Sequence, residues 1–188
     1  MKRRTVWLLD LLVLGCGGFL FGCVSGPIFP LEVLKKVDRT VRFEQVEKDP
    51  AKYKDRIVEF GGQIVGSMVE VEEVHLLVRE LPIQVKPVYG PADHGEKRGL
   101  FIIRYKGTIG EQDLQHGNMV IVIGAVMGAV VSNVTSASIS RPTVNAECFH
   151  VWRTQGDQIN EFPYGQNFTL LVQQTYCVNR RDTILTTT

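Results

Sequence analysis

The sequence predicts a mainly β protein, a small five- to six-stranded OB-like barrel preceded by one or two short helices. Three observations carry this. In several short segments apolar residues recur at every second position, the period of a strand with one buried face. Before them lies a segment where apolar residues recur three or four apart, the period of a helix. Glycines also fall where a small sheet must bend, Gly61 and Gly62 foremost.

Taken in order, Pro30 precedes Leu31, Leu34, Val37 and Val41, with Glu32, Lys35, Lys36 and Arg39 between them. That pattern predicts an amphipathic helix with proline in its first turn. Residues 43–46 extend it by a turn. Asp49 followed by Pro50 predicts a capped single turn, the aspartate accepting at the cap and the proline pre-set for the first position.

From Arg56 the period becomes two: Val58, Phe60, Gly62 and Ile64 alternate with Glu59, Gly61 and Gln63 as a first strand, bulged or bent at its glycine pair. Val74, Leu76 and Val78 make a second strand, with the hairpin tip near residues 70–73. Residues 81–98 carry Pro82, Pro87, Gly90, Pro91 and Gly95 and read as a long, mobile surface connection. Residues 100–105 form a third strand. The apolar run 119–126 is too short for a bilayer, which takes about 20 residues, and predicts a central buried strand. Residues 143–152 form a fifth, with Val144, Ala146, Cys148, His150 and Trp152 on one side. Spacing alone leaves a barrel and a five-stranded sandwich both open. After Trp152 the chain turns to Gln, Thr and Asn, with a strand-like island at residues 168–172 that either adds a sixth strand or hangs loose.

The 188 residues, 44% of them hydrophobic, suit one domain with a core. A net charge of +1 argues against nucleic acid as a partner.

Lys2, Arg3 and Arg4 open the chain, and residues 6–21 are mostly apolar apart from Asp10. This is the layout of an export signal, too short and too polar for a retained span. It ends in Leu20-Phe21-Gly22-Cys23, which resembles the bacterial lipoprotein signal. The resemblance implies cleavage before Cys23, diacylglycerol on its sulfur and an acyl chain on its amino group. Stable anchoring takes more than one chain, which this modification supplies. Val13-Leu14-Gly15-Cys16 is a rival match. Val24 after the cysteine, in place of aspartate, favours the outer membrane. The expected divisions are a removed leader at 1–22, a lipidated terminus and linker at 23–30, a barrel at 31–152 and a polar extension at 153–188.

Four stretches are similar to the Slp family of outer-membrane lipoproteins: VDRTVRFEQVEKDPAKYKDRIVEFGGQIV from Val37, GLFIIRYKG from Gly99, GNMVIVIGAVMG from Gly117 and RPTVNAECFHVW from Arg141. The first carries D-P-x-x-Y-x-x-R-x-V-x-x-G-G, and the last closes on His150-Val151-Trp152. The resemblance implies an acylated protein facing the periplasm, without catalysis, whose partner is the membrane and another envelope component.

No chemistry-bearing constellation competes with that reading. His75, His94, His116 and His150 are scattered and lack metal-ligand spacing, and no Cys-x-x-Cys occurs. No catalytic residue, metal or cofactor is therefore expected. Cys148 and Cys177 are candidates for a disulfide in an oxidising compartment, the alternative being a buried small hydrophobe and a free thiol. Tyr89, Phe101, Tyr105 and Trp152 are candidates for an exposed aromatic face that binds a glycan or a peptide.

Overall fold

The structure is a computed structural model and describes residues 27–86, 89–92, 99–132, 139–159 and 171–178. The leader, Cys16, Cys23, His94 and most of the 168–172 island lie outside the described residues.

Two short helices, α1 (Leu31–Leu34) and α2 (Phe43–Lys48), lead into a 3-10 turn at Pro50–Tyr53 whose backbone Lys52 N–H donates to the Asp49 side chain. The single amphipathic helix expected from residue 31 does not form. Asp38 ends it by accepting hydrogen bonds from the backbone N–H and the hydroxyl of Thr40, a turn that competes with helix. Its own N–H donates to the Ile57 carbonyl instead.

The strands are β1 (Ile57–Val69), β2 (Glu73–Leu81), β3 (Ile83–Gln84), β4 (Gly90–Pro91), β5 (Leu100–Lys106), β6 (Met119–Ser132), β7 (Ile139–Trp152) and β8 (Gln173–Cys177). The sheet runs β5-β2-β1-β6-β7-β8, and β5 also pairs in parallel with β7. That last pairing closes β1, β2, β5, β7 and β6 into a five-stranded barrel, with β8 outside it. The choice left open by spacing is thereby settled for the barrel, the connectivity being OB-like. The stretch expected to be a mobile loop contains the β3–β4 ribbon, and Gly90, Pro91 and Ala92 in it are buried.

The barrel interior holds Val58, Phe60, Ile64, Leu76, Val78, Phe101, Ile103, Val120, Val122, Val144 and Phe149, with Phe43 and Val46 of α2 closing one end. A second apolar layer lies outside the wall made by β1, β6 and β7. There Phe29 and Val33 cover Leu81, Met119, Ile121, Ile123, Cys148, Trp152 and Ile159.

One bulge sets which β7 residues face which layer. Ile123 pairs with Cys148 and Gly124 with Ala146, so Glu147 is the extra residue. The alternation therefore changes phase there. Val144 and Ala146 point inward, whereas Cys148, His150 and Trp152 point outward, which corrects the reading that put all five on one side. Gly124 permits the close approach: a Cβ on it would lie 2.2 Å from the Asn145 carbonyl oxygen.

The bulge in β1 falls between Ile64 and Gly66, beyond Gly61 and Gly62. Those two glycines serve a different need. A Cβ on Gly62 would sit 2.3 Å from the Arg79 carbonyl oxygen, so only glycine lets β2 approach.

Candidate functional site

The parallel β5–β7 pairing spans only residues 102–104 and 143–145. Past it the two strands diverge, and β8 pairs along the freed edge of β7 from Trp152↔Gln173 to Cys148↔Cys177. Alternation along β8 then divides its tasks. Tyr176 turns inward and stacks on Phe149, ring centroids 5.0 Å apart, with Tyr105 edge-on at 6.2 Å. Gln173, Thr175 and Cys177 meet the outward residues of β7. Cys177 is joined to Cys148 in a disulfide.

Asp113, 1% exposed, lies beneath this junction. Its carboxylate accepts from Arg153 Nε at 2.6 Å and from the Tyr176 hydroxyl at 2.6 Å. Burial pushes its pKa upward, but the hydrogen bonds from Arg153 and Tyr176 outweigh that and hold it below the ordinary value. The hydroxyl of Tyr176 in turn accepts from the Gly110 N–H. The turn at Glu111–Leu114, the end of β7 and β8 are thus tied by one satisfied polar network.

His150 is the centre of the outward face. Its Nδ1 lies 2.7 Å from Thr175 Oγ1 and its Nε2 3.1 Å from Gln173 Oε1. Phe29 and Trp152 meet its ring edge-on. Burial holds its pKa below the usual imidazole value, with the Gln173 hydrogen bond opposing. Each ring nitrogen faces a polar side-chain atom, and the ring packs as a joint between β7, β8 and the lead.

Thr175 also donates to the Ile28 carbonyl at 3.2 Å. Phe29 beside it is 2% exposed, and Lys36 pairs with Glu147, the bulge residue, at 2.6 Å. The chain expected to be a linker as far as residue 30 is therefore already seated on the barrel at Ile28 and Phe29.

The four aromatics expected to share an exposed face do not. Phe101 is 0% exposed and Tyr105 6%, both inside the barrel, while Trp152 at 2% lies in the outer layer. Tyr89 packs at the edge of that layer, its hydroxyl donating to Glu59. Burial, together with the Glu59 carboxylate, holds that phenol protonated well above its usual range. Each ring was drawn to apolar neighbours, and composition carries no sign of which face a ring takes.

A surface hollow of about 300 Å³ lies between α2 and the β1–β2 wall, lined by Arg42, Phe43, Glu44, Glu59, Phe60 and Ile83. Glu59 there already accepts from Tyr89 and from Arg39. Among the described residues no group of three His, Cys, Asp or Glu is placed to hold a metal ion. His75 pairs with Glu73, which Arg104 also contacts, on the outer surface of β2 and β5.

Residue-by-residue reading missed Asp113, Arg153, Gln173, Thr175 and Tyr176. The one signal available was the spacing of Gln173, Thr175 and Cys177, every second residue in a segment otherwise read as tail.

Fold and junction together define a small closed OB-like barrel whose outer wall is occupied by its own N-terminal lead. A family model described as outer membrane lipoprotein Slp family matches residues 20–178, and the chain belongs to that family. It is thus a lipoprotein of the cell envelope, in a family not known for enzymatic activity. No curated protein matches it. Among the described residues no helix is long and apolar enough to cross a membrane.

Proposed function

We propose that the protein is held in the outer membrane by acyl chains on Cys23, with its barrel on the periplasmic side in a non-catalytic structural or interaction role. One observation carries the choice of cysteine. The family match starts at Leu20, the first residue of Leu20-Phe21-Gly22-Cys23, and leaves Cys16 outside. Physical chemistry supports this kind of anchor, because a multiply acylated terminus holds stably without any spanning helix.

The reading as a glycan- or peptide-binding groove lacks support, since Phe101 and Tyr105 are buried in the barrel, Trp152 is buried in the outer layer and Tyr89 is half-buried at its edge. Contact with another envelope component is assigned to the barrel surface. The polar pairs of Glu73, His75 and Arg104 on the β2–β5 wall suit a protein partner better than an apolar ligand.

The test is fractionation of the native protein beside Cys23→Ser and Cys16→Ser forms. The wild type and Cys16→Ser are expected to sediment with the outer membrane, and Cys23→Ser to be unprocessed or mislocalised. Loss of anchoring only in Cys16→Ser would contradict the assignment.

A further inference from the structure

The reach of the tether limits how the barrel can lie on the membrane. Ile28 is fixed by the Thr175 hydroxyl and Phe29 is buried against His150, so the chain is tied to the barrel from Ile28 onward. From Cys23 to Ile28 there are five residue steps, and a fully extended chain covers at most about 3.6 Å per step, or about 18 Å. The seated lead lies over the outer face of β6 and β7. In the ring β1-β2-β5-β7-β6 the β2–β5 pair is directly across from β6.

Packed β layers are about 10 Å apart, so that far wall lies about two layer spacings, roughly 20 Å, beyond the lead. To rest the β2–β5 wall on the bilayer, the tether would have to pass around the barrel. An 18 Å chain does not make that detour.

The near side carries an exposed apolar residue at the tether: Leu31 is 61% exposed on α1, directly after the seated lead. Lys35 is exposed on the same segment as Leu31. With Glu32 and Lys36 also exposed there, the segment offers one apolar side chain among charged ones, the mix that sits at the boundary between acyl chains and phosphate head groups.

We propose that the layer formed by residues 27–37 rests on the lipid surface that holds Cys23, with Leu31 at the interface and the β2–β5 wall facing away. This rests on acylation of Cys23. It fixes which surface is left for a partner: the wall carrying Glu73, His75, Arg104 and Lys106.

The test uses the full acylated protein in vesicles of phosphatidylethanolamine and phosphatidylglycerol that contain a head-group acceptor dye. A donor dye is placed at Leu31→Cys or at Lys106→Cys, both exposed. Intact mass first shows acylation at Cys23 and an intact Cys148–Cys177 bond in each. Energy transfer severalfold greater from position 31 than from 106 is expected. Equal transfer, or greater transfer from 106, overturns the orientation and leaves the anchor standing. An unmodified Cys23 overturns both.

Discussion

At the scale of single residues, the junction beneath β8 depends on groups whose protonation is set by burial. Burial of the His150 ring favours its uncharged form, against the Gln173 hydrogen bond, and lowers its pKa. Its pKa is lower folded than the unfolded value near 6.5, so the unfolded chain binds the proton first as pH falls. Its contribution to stability is complete above about pH 6.5 and is lost as pH drops through the folded value. Urea unfolding at about pH 7.5 and about pH 5.5 checks this: the wild type loses more stability over that interval than His150→Gln. Equal loss in both proteins would remove His150 from the account. Asp113 has the same sign in a lower window. Its carboxyl is held below its usual value, so its contribution fades only as pH falls through the carboxylate range.

None of this polar network was legible in the sequence. Asp113 sits in a segment that reads as a polar turn, and only the fold brings Arg153 and Tyr176 onto it. The aromatics show the converse failure. Phe101 and Tyr105 stand in the inward phase of β5 with Ile103 between them, so membership of that strand places both rings in the core. A ring cannot both fill the barrel interior and line an exposed groove, and in β5 the interior takes both.

At the scale of elements, β1, β2 and β7 were readable by their alternation, whereas β6 reads as an unbroken apolar run because the barrel core and the outer layer bury its two faces. The bulge at Glu147 was not. An added residue changes which side later residues face while leaving the run of strand-forming residues unbroken. The helix expected over residues 31–41 failed for a related reason. Its spacing was helical, but the Asp38–Thr40 turn and the tie to β1 took the backbone elsewhere, and Val33 became the most buried residue of α1.

The sixth strand is the element least visible in composition, since Gln173, Gln174 and Thr175 lack the apolar alternation that marks a strand. What holds it is the disulfide, the Tyr176 stack and its pairing with β7. The crosslinked residues are 29 apart in sequence, and a loop of that length stabilises by about 3 to 4 kcal/mol through the unfolded state. Replacing both cysteines by serine is expected to lower the free energy of unfolding by about that amount. Deprotection of β8 amides in hydrogen exchange should accompany it, with the β1–β6 pairing protected as before. A change in stability below about 1 kcal/mol would mean that Tyr176 and the strand pairing hold β8 without the crosslink.

At the scale of the molecule, the proposed anchor at Cys23 gives the pieces a common task, attachment through the lead with the β2–β5 wall turned away. The barrel closes on its own core, so its stability does not draw on a membrane span. The lead is seated on the outer layer by Ile28, Phe29 and Lys36. The same β8 that seals the seam between β5 and β7 also grips the lead through Thr175. Seam and tether are therefore mechanically linked, and loosening β8 would free both.

The most direct measurement is the intact mass of the protein purified from native membranes, with fragmentation of its first peptide. The expected product begins at Cys23 and carries diacylglycerol and a further acyl chain there, with residues 1–22 removed. A free thiol at position 23, or a chain that still bears its leader, contradicts the account.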